Sequence, residues 1–532
     1  LGEQCILTHD VGTSGNKAAL VSTSGKILGV AEKNYDVNYP KPGWAEQDPK
    51  QYWNAVVETT RTLLKKTKTN PKDIIGISLD AQMMSAIPVD KDGNALRPAM
   101  IWLDSRSEKQ SDEFEAKFDP ISQLLNFGNL PMTTAKDVIP KIWWIRDNEP
   151  KIFQKAYKWC DVKDYVIRQL VGGFYTDWST ALLFGLFHIQ NHVWIDELIQ
   201  GVGLSRDKLC EVVKTTDIVG TLTKEAAQQL GLTTETPVIC GAGDAPATHV
   251  GSGAIRTNEG HLYLGTSGWV SVTVDNFTAD PDTGIAAIYS GVPGKFMLIG
   301  EMESVAAPLK WFKDNLAGVE CLIAMKKGCD PYDVINEEAA SVGPGAKKLI
   351  FLPWMLGERA PIQDTTVRGG FINLSFHHGR PEIARAILEG VAYHIRWITK
   401  NIQKILDRGV LDPNQPKPQI SSLNACGGGA ISTLWMQIFA DVLNKRIRPL
   451  KEPRHVAALG VAIISMVGLE IYPDFETAVD KIIKIEKDYY PNENLKPIYD
   501  EMYNTFEGIY PKLKEVYQTL NKGETTQKPL EP

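Results

Sequence analysis

The tetrapeptide Gly-Thr-Ser-Gly occurs twice in this chain of 532 residues, at positions 12–15 and 265–268. Each copy directly follows an apolar, strand-like run, residues 5–11 in one case and 261–264 in the other. A glycine-rich turn after a strand bares backbone N–H groups, and hydroxyls beside them add donors, which is how proteins hold phosphate. A tetrapeptide repeat arises by chance on the order of once in a chain this long. The shared strand context, and the position of one copy near the start of each half, set this pair apart. Together they point to a duplicated scaffold whose two halves close on a polyphosphate.

The length calls for several domains, because single cores stop growing at about 250–300 residues. Net charge is −7, from 57 basic and 64 acidic residues, which argues against a general nucleic-acid binder. No apolar run reaches the ~18 residues of a membrane span, and no signal peptide opens the chain. A cytoplasmic protein without membrane or nucleic-acid partners is the expectation. The seven cysteines are scattered, with no CxxC pair, and read as reduced and mainly structural. No His/Cys cluster has zinc spacing, and His377-His378 reads as a surface loop.

The opening reads as a three-stranded meander over residues 5–11, 17–22 and 27–31, then a helix over 49–65 and a buried strand over 74–79. Asp48 and Pro49 suit the N-cap and first position of that helix. The second half repeats the pattern, with strands over 261–264, 269–274 and 296–299, a long helix over 381–405, a strand over 420–425 and a helix over 432–443. Each half is mixed α/β with its own sheet. The expected divisions are 1–254, 255–491 and a C-terminal helix with a tail over 492–532, disordered from residue 523.

Several segments could carry chemistry. Asp10, beside the turn Gly12-Thr13-Ser14, is placed to organise Mg²⁺ through water, with Lys17 as a point charge toward phosphate. The alternative is a type I′ hairpin on Ser14-Gly15-Asn16 with Asp10 capping it. Asp244, after the glycines of 241–243, could accept a hydroxyl proton or cap the following helix. Gly427-Gly428-Gly429 allows close approach of a flat base or ribose, or serves as a tight strand-to-helix turn. It is neither a dinucleotide fingerprint nor a P-loop. Gln82, Trp102, Asp104 and Arg106 are the side-chain types of a sugar site, although Asp104–Arg106 also reads as an ion pair and Trp102 as core.

Taken in order, these segments resemble the FGGY carbohydrate kinase family from about residue 6 to 468, and within it most closely the xylulose kinases. The matching residues include Asp10–Ser14 with Lys17, Gln82-Met83, Ile101–Arg106, Lys163-Asp164-Tyr165, Gly243-Asp244, Gly265–Gly268, Gly357–Pro361 and Gly427–Gly429. The resemblance implies a two-domain α/β fold of the actin/hexokinase/Hsp70-like (ribonuclease H-like) type with a central cleft. It implies ATP and Mg²⁺, a sugar acceptor, and dimers as a common assembly. By the same likeness Asp10 places metal and phosphates. Gly12, Thr13 and Ser14 hold phosphate from one side, Gly265 and Thr266 from the other. Gly427, Gly428 and Gly429, with the helix opened by Ser432, take adenosine. Asp244 becomes the base, and Gln82, Met83, Met84, Trp102, Asp104 and Arg106 lie toward the sugar. The implied reaction is phosphorylation of D-xylulose to D-xylulose 5-phosphate. Other ketoses or polyols, or a non-catalytic nucleotide-binding module, are the alternatives. The chain departs from the xylulose kinase pattern at Met84, where His is usual, and at Ala245, where Asn is usual. Ala306-Ala307 stands where the family often has a glycine pair.

Overall fold

The computed structural model describes residues 2–409 and 416–521, so the tail expected from residue 523 lies outside the described residues. The predicted meander is present as strands β1 Cys5–Val11, β2 Gly15–Ser22 and β3 Ile27–Asn34, paired antiparallel. Helix α1, Pro49–Thr67, starts where the sequence indicates. Asp48 accepts a hydrogen bond from the Lys50 N–H at 3.0 Å, and Pro49 occupies the first turn, where a missing N–H costs nothing. Its buried face, Tyr52, Val56, Thr60 and Leu63, recurs at helical spacing and packs on the sheet. The crossover returns the chain so that β4, Ile74–Ala81, lies parallel to β1. Strands β5 Ile218–Thr221 and β6 Pro237–Ile239 extend this edge, and the short β7, Ala242–Gly243, pairs with the end of β4. Helix α2, Asp244–Gly251, follows directly. The order is β3-β2-β1-β4-β6-β5.

The second sheet contains β8 Gly260–Leu264, β9 Gly268–Val274, β10 Ala279–Asp280, β11 Ile285–Tyr289, β12 Phe296–Met302, β13 Ser422–Cys426 and β14 Arg446–Pro449. Strands β8, β9 and β12 form an antiparallel meander, and β13 joins β8 in parallel, followed by β14. The path β12-β9-β8-β13-β14 therefore repeats β3-β2-β1-β4-β6 in order and direction. The duplication suggested by the repeated tetrapeptide is a duplication of sheets. In each copy the tetrapeptide connects the first two strands, and its last glycine answers a packing demand. A Cβ on Gly15 would lie 2.6 Å from the Lys33 carbonyl oxygen, and one on Gly268 2.2 Å from that of Tyr263.

Helix α3, Arg380–Arg408, buries one long face against the second sheet, and α4, Thr433–Leu443, follows β13. Helix α5, Val456–Gly468, belongs to the second half in sequence but packs beneath the first sheet, against Ile6, Val21 and Ile239. It crosses α2 with backbones in contact. A Cβ on Gly251 would sit 1.8 Å from the Val456 carbonyl oxygen, and one on Gly460 1.9 Å from that of Ala247. Helix α6, Lys496–Glu507, completes the core of the second half, where the Tyr499 hydroxyl lies 2.8 Å from Arg385 and 3.0 Å from Glu389. Among the described residues no helix is long and apolar enough to cross a membrane.

Gly460→Ala forces a methyl group into backbone that cannot move without separating the halves. The variant should lose about 1–3 kcal/mol or more, read as a lower urea midpoint. An unchanged midpoint would contradict the crossing.

Candidate active site

The two tetrapeptide turns share one electrostatic design. In the first, the carbonyls point away and are held there. The Tyr35 hydroxyl donates to Gly12 O at 2.6 Å, Gln47 Nε2 to Thr13 O at 2.7 Å, and the Tyr35 N–H to Ser14 O at 3.1 Å. The N–H groups of Thr13 and Ser14 have no partner among the described residues. In the second turn, the N–H groups of Val305 and Ala307 donate to Thr266 O and that of Ala306 to Gly265 O, while the N–H groups of Thr266 and Ser267 stay without partners among the described residues. Carbonyls committed and N–H groups free is the arrangement that receives an anion. Ala306-Ala307 thus fixes the second turn from behind through its backbone. The type I′ alternative for the first turn is excluded. That turn requires positive φ at both central residues, whereas Ser14 and Gly15 have none, and Gly15 and Asn16 already pair within β2.

Strand ends set the acidic groups. Asp10 pairs with Lys17 on β2 and with Asp80 on β4, and Asp80 pairs with Ala242 on β7, two residues before Asp244. Asp10 and Asp244 are partly exposed, and Asp80 is fully buried. Burial raises the Asp10 carboxyl above its usual range, with Lys17 opposing. Burial, then the charge of Asp10, pushes Asp244 up to about 7. The capping alternative for Asp244 gives way: Gly243 is the N-cap residue and Asp244 is the first helical residue, its carboxylate accepting from the Ala245 N–H at 2.8 Å.

A buried chain of contacts positions Asp244 from behind. Lys163 lies 3.1 Å from Asp177 and 3.4 Å from the Cys240 sulfur. Asp177 holds Ser179, whose hydroxyl accepts the Gly243 N–H at 3.2 Å. The motif Lys163-Asp164-Tyr165 therefore acts through the strand that leads to Asp244.

The side chains expected toward a sugar divide into two groups. Met84, at φ +67°, and Trp102 line a cavity of about 1000 Å³ with Lys136, Glu303 and Arg359. Arg359 bonds Glu301 and Glu303 and stacks over Trp102, its guanidinium 5.5 Å from the ring, so that it joins the two halves across the cleft. Asp104 and Arg106 are instead committed to each other. Their side chains are 0% and 1% exposed, Asp104 also accepts the Ala45 N–H at 2.7 Å, and Arg106 lies 3.6 Å over Trp44. Direct sugar contact by this pair is corrected to support of the cavity wall. Gln82 likewise braces the first turn, through Thr13 at 3.2 Å and Gln47 at 2.8 Å, and Met83 is buried against Gly243. The Trp102 indole N–H donates to Thr13 Oγ1 at 2.8 Å, tying the cavity wall to that turn. Lys136, Glu301 and Glu303 carry no signal in the sequence, because each reaches the cleft from a loop or strand end whose place only the tertiary fold sets.

On the opposite side, Gly427 turns the chain at φ +86° against Leu264, and Gly428 has open space where a Cβ would stand. Ser432 caps α4, its hydroxyl accepting the Trp435 N–H at 3.2 Å. The halves meet electrostatically at the cleft: Tyr263, next to the second turn, is raised by burial and by the charge of Asp10.

Two sheets of one topology, crossed helices and a cleft flanked by anion-receiving turns are the features of sugar kinases with the actin-like fold. The chain matches the N-terminal domain model of the FGGY family of carbohydrate kinases over residues 5–251 and the C-terminal domain model over 260–469, and it belongs to that family. It is 29% identical to the gluconokinase of Bacillus subtilis over 97% of this chain and 98% of that protein. It is 28% identical to a xylulose kinase of Staphylococcus epidermidis over 97% and 99%. Its fold superposes on a gluconate kinase structure from Lactobacillus acidophilus with a TM-score of 0.85 at 26% identity, covering 98% of this chain and all of that one. The protein is a two-domain sugar kinase whose family uses ATP.

Lys163→Met would leave Asp177 and Asp164 buried without their cation. A loss of about 3–5 kcal/mol at pH 7 is expected. The loss should shrink toward pH 5, because Asp164, whose carboxyl burial pushes up to about 7 against the opposing charge of Lys163, takes up a proton in the folded state. Equal stability to wild type at pH 7 in urea titrations would contradict the positioning chain.

Proposed function

We propose that the protein transfers the γ-phosphoryl group of ATP to a primary hydroxyl of an acyclic sugar, with D-xylulose, giving D-xylulose 5-phosphate, as the first candidate acceptor. The observation that carries this reading is the pair of turns with committed carbonyls and free N–H groups, one from each half, beside a partly exposed carboxylate raised toward neutrality. In this reading Asp244 accepts the hydroxyl proton, and the N–H groups of Thr13, Ser14 and Thr266 donate to the phosphates, with Gly12, whose N–H bonds Gly15 O, and Gly265 shaping the turns. Gly427, Gly428, Gly429 and the helix opened by Ser432 receive adenosine. Lys17 adds charge near the phosphates. Donors from both sides spread the charge of a loose transition state, and closure excludes water, the competing acceptor.

The residues also fit a divalent cation. Asp10 is partly exposed at the first turn, beside the unpartnered N–H groups of Thr13 and Ser14. That suits Mg²⁺, which takes one or two carboxylates and completes its shell with phosphates and water. When bound, it neutralises charge on the transferred phosphoryl group. Asp10 would hold it through water.

A second acceptor within the family is favoured by two departures, Met84 and Ala245, where hydrogen-bonding side chains beside a ketose are missing. Gluconate is the alternative suggested by the relatives. Coupled ATP turnover should rise only when an acceptor is added from a panel of D-xylulose, D-ribulose, hexuloses, gluconate and sugar alcohols. Silence across the panel would contradict the kinase reading, and stimulation by another acceptor alone would displace D-xylulose.

Two further outcomes are expected. Asp244 must be ionised to accept a proton, so kcat/KM should fall about tenfold per pH unit below about 7. Asp244→Asn should lower kcat by roughly 10²–10⁴ with ATP affinity intact, and lost ATP binding or retained turnover would contradict its role. Gly428→Val projects into open space, so it should weaken ATP without unfolding the protein or changing sugar affinity; unchanged ATP affinity would contradict the adenosine assignment.

A further inference from the structure

Asp80 has no role in the reading so far, and its surroundings ask for one. Its side chain is 0% exposed, and neither carboxylate oxygen has a hydrogen-bond donor among the described residues. An ionised carboxylate in such a place is strongly disfavoured unless paired with a cation or coordinated to a metal. The ladder brings no cation to it. Paired residues on neighbouring strands share a face, about 4.7–4.9 Å apart, so one row across the sheet reads Lys17, Asp10, Asp80 and Ala242. Lys17 is at the exposed end of that row, beyond Asp10. In the absence of a metal the Asp10 and Asp80 carboxyls lie within hydrogen-bond reach of each other, and no other donor among the described residues reaches Asp80.

We propose that Asp80 is a second carboxylate of the divalent-cation site, acting with Asp10 to fix the ion at the first phosphate turn. This rests on the reading of Asp10 as a metal-site residue and adds to it a residue that the chemistry of the turn alone does not identify. Two carboxylates in neighbouring register match the one or two that Mg²⁺ takes from a protein. Asp80 also stiffens the site. Both carboxylates sit one residue from a strand end with a paired strand on either side. The ion is then positioned by the sheet and not only by the nucleotide that carries it. Asp80 acts on the reaction through the ion, which makes it a positioning residue.

The test is Mn²⁺ binding, read by the EPR signal of the free ion, to full-length protein saturated with a non-hydrolysable ATP analogue. Asp80→Asn keeps the shape and removes the charge, and Asp80→Ser serves the same purpose should the amide misfold. Either variant should weaken Mn²⁺ by roughly tenfold or more. The metal-free melting temperature should stay level or rise, because an unpaired buried charge is gone. Wild-type Mn²⁺ affinity in both variants would overturn the inference and make Asp80 a neutral acid that shares a proton with Asp10. A lower metal-free melting temperature would also overturn it, by making the residue structural. Asp10→Asn separates the two readings. If it too leaves Mn²⁺ affinity unchanged, the metal assignment of Asp10 falls and this inference falls with it. If it alone weakens Mn²⁺, only the role of Asp80 is lost.

Discussion

Everything at the cleft depends on the crossing of two helices at Gly251 and Gly460. Their backbones approach so closely that no side chain fits on either glycine at the contact. This locks α2, which starts with Asp244, to α5, which underlies the strands that end in Asp10 and Asp80. The crossing therefore fixes the candidate base relative to the first phosphate turn. The halves also meet elsewhere, where Trp178, Phe187 and Ile189 pack against Tyr289 and where Arg359 lies over Trp102.

The turns show how a short polar motif acquires direction. Gly-Thr-Ser-Gly carries as many carbonyls as N–H groups, and alone it favours neither cation nor anion. Tyr35 and Gln47 in the first half, and the N–H groups of residues 305–307 in the second, engage the carbonyls and leave N–H groups toward the cleft. Such preorganised donors need no rearrangement when charge develops. Each half reaches this result with different partners, side chains in one and a helix N-terminus in the other.

Much of this was legible in the sequence because it rests on local pattern. The meander at 5–31, α1 with its Asp48 cap, and the strand before each tetrapeptide follow from apolar spacing and turn residues. The duplicated sheet was visible through the repeat itself. What the sequence could not give was direction. Asp104 and Arg106 are polar residues beside a tryptophan, a pattern equally suited to binding sugar and to pairing with each other, and only the fold shows them turned under Trp44. Glu303 and Arg359 lie far apart in the chain and meet within the second half, and Lys136 joins them from the first. Asp80 could have been found, since both β1 and β4 end their apolar runs with an aspartate. Recognising this required knowing that the two strands are parallel neighbours in equal register.

The central claim is that the two turns act as the two sides of one phosphate site. A crystal structure with a non-hydrolysable ATP analogue, Mg²⁺ and an acceptor tests it most directly. The account predicts β- and γ-phosphate oxygens within hydrogen-bond reach of the N–H groups at Thr13–Ser14 and Thr266 together, with the acceptor hydroxyl beside Asp244. A nucleotide that touches only one turn, or lies with its phosphates away from Asp10 and Asp244, would contradict it.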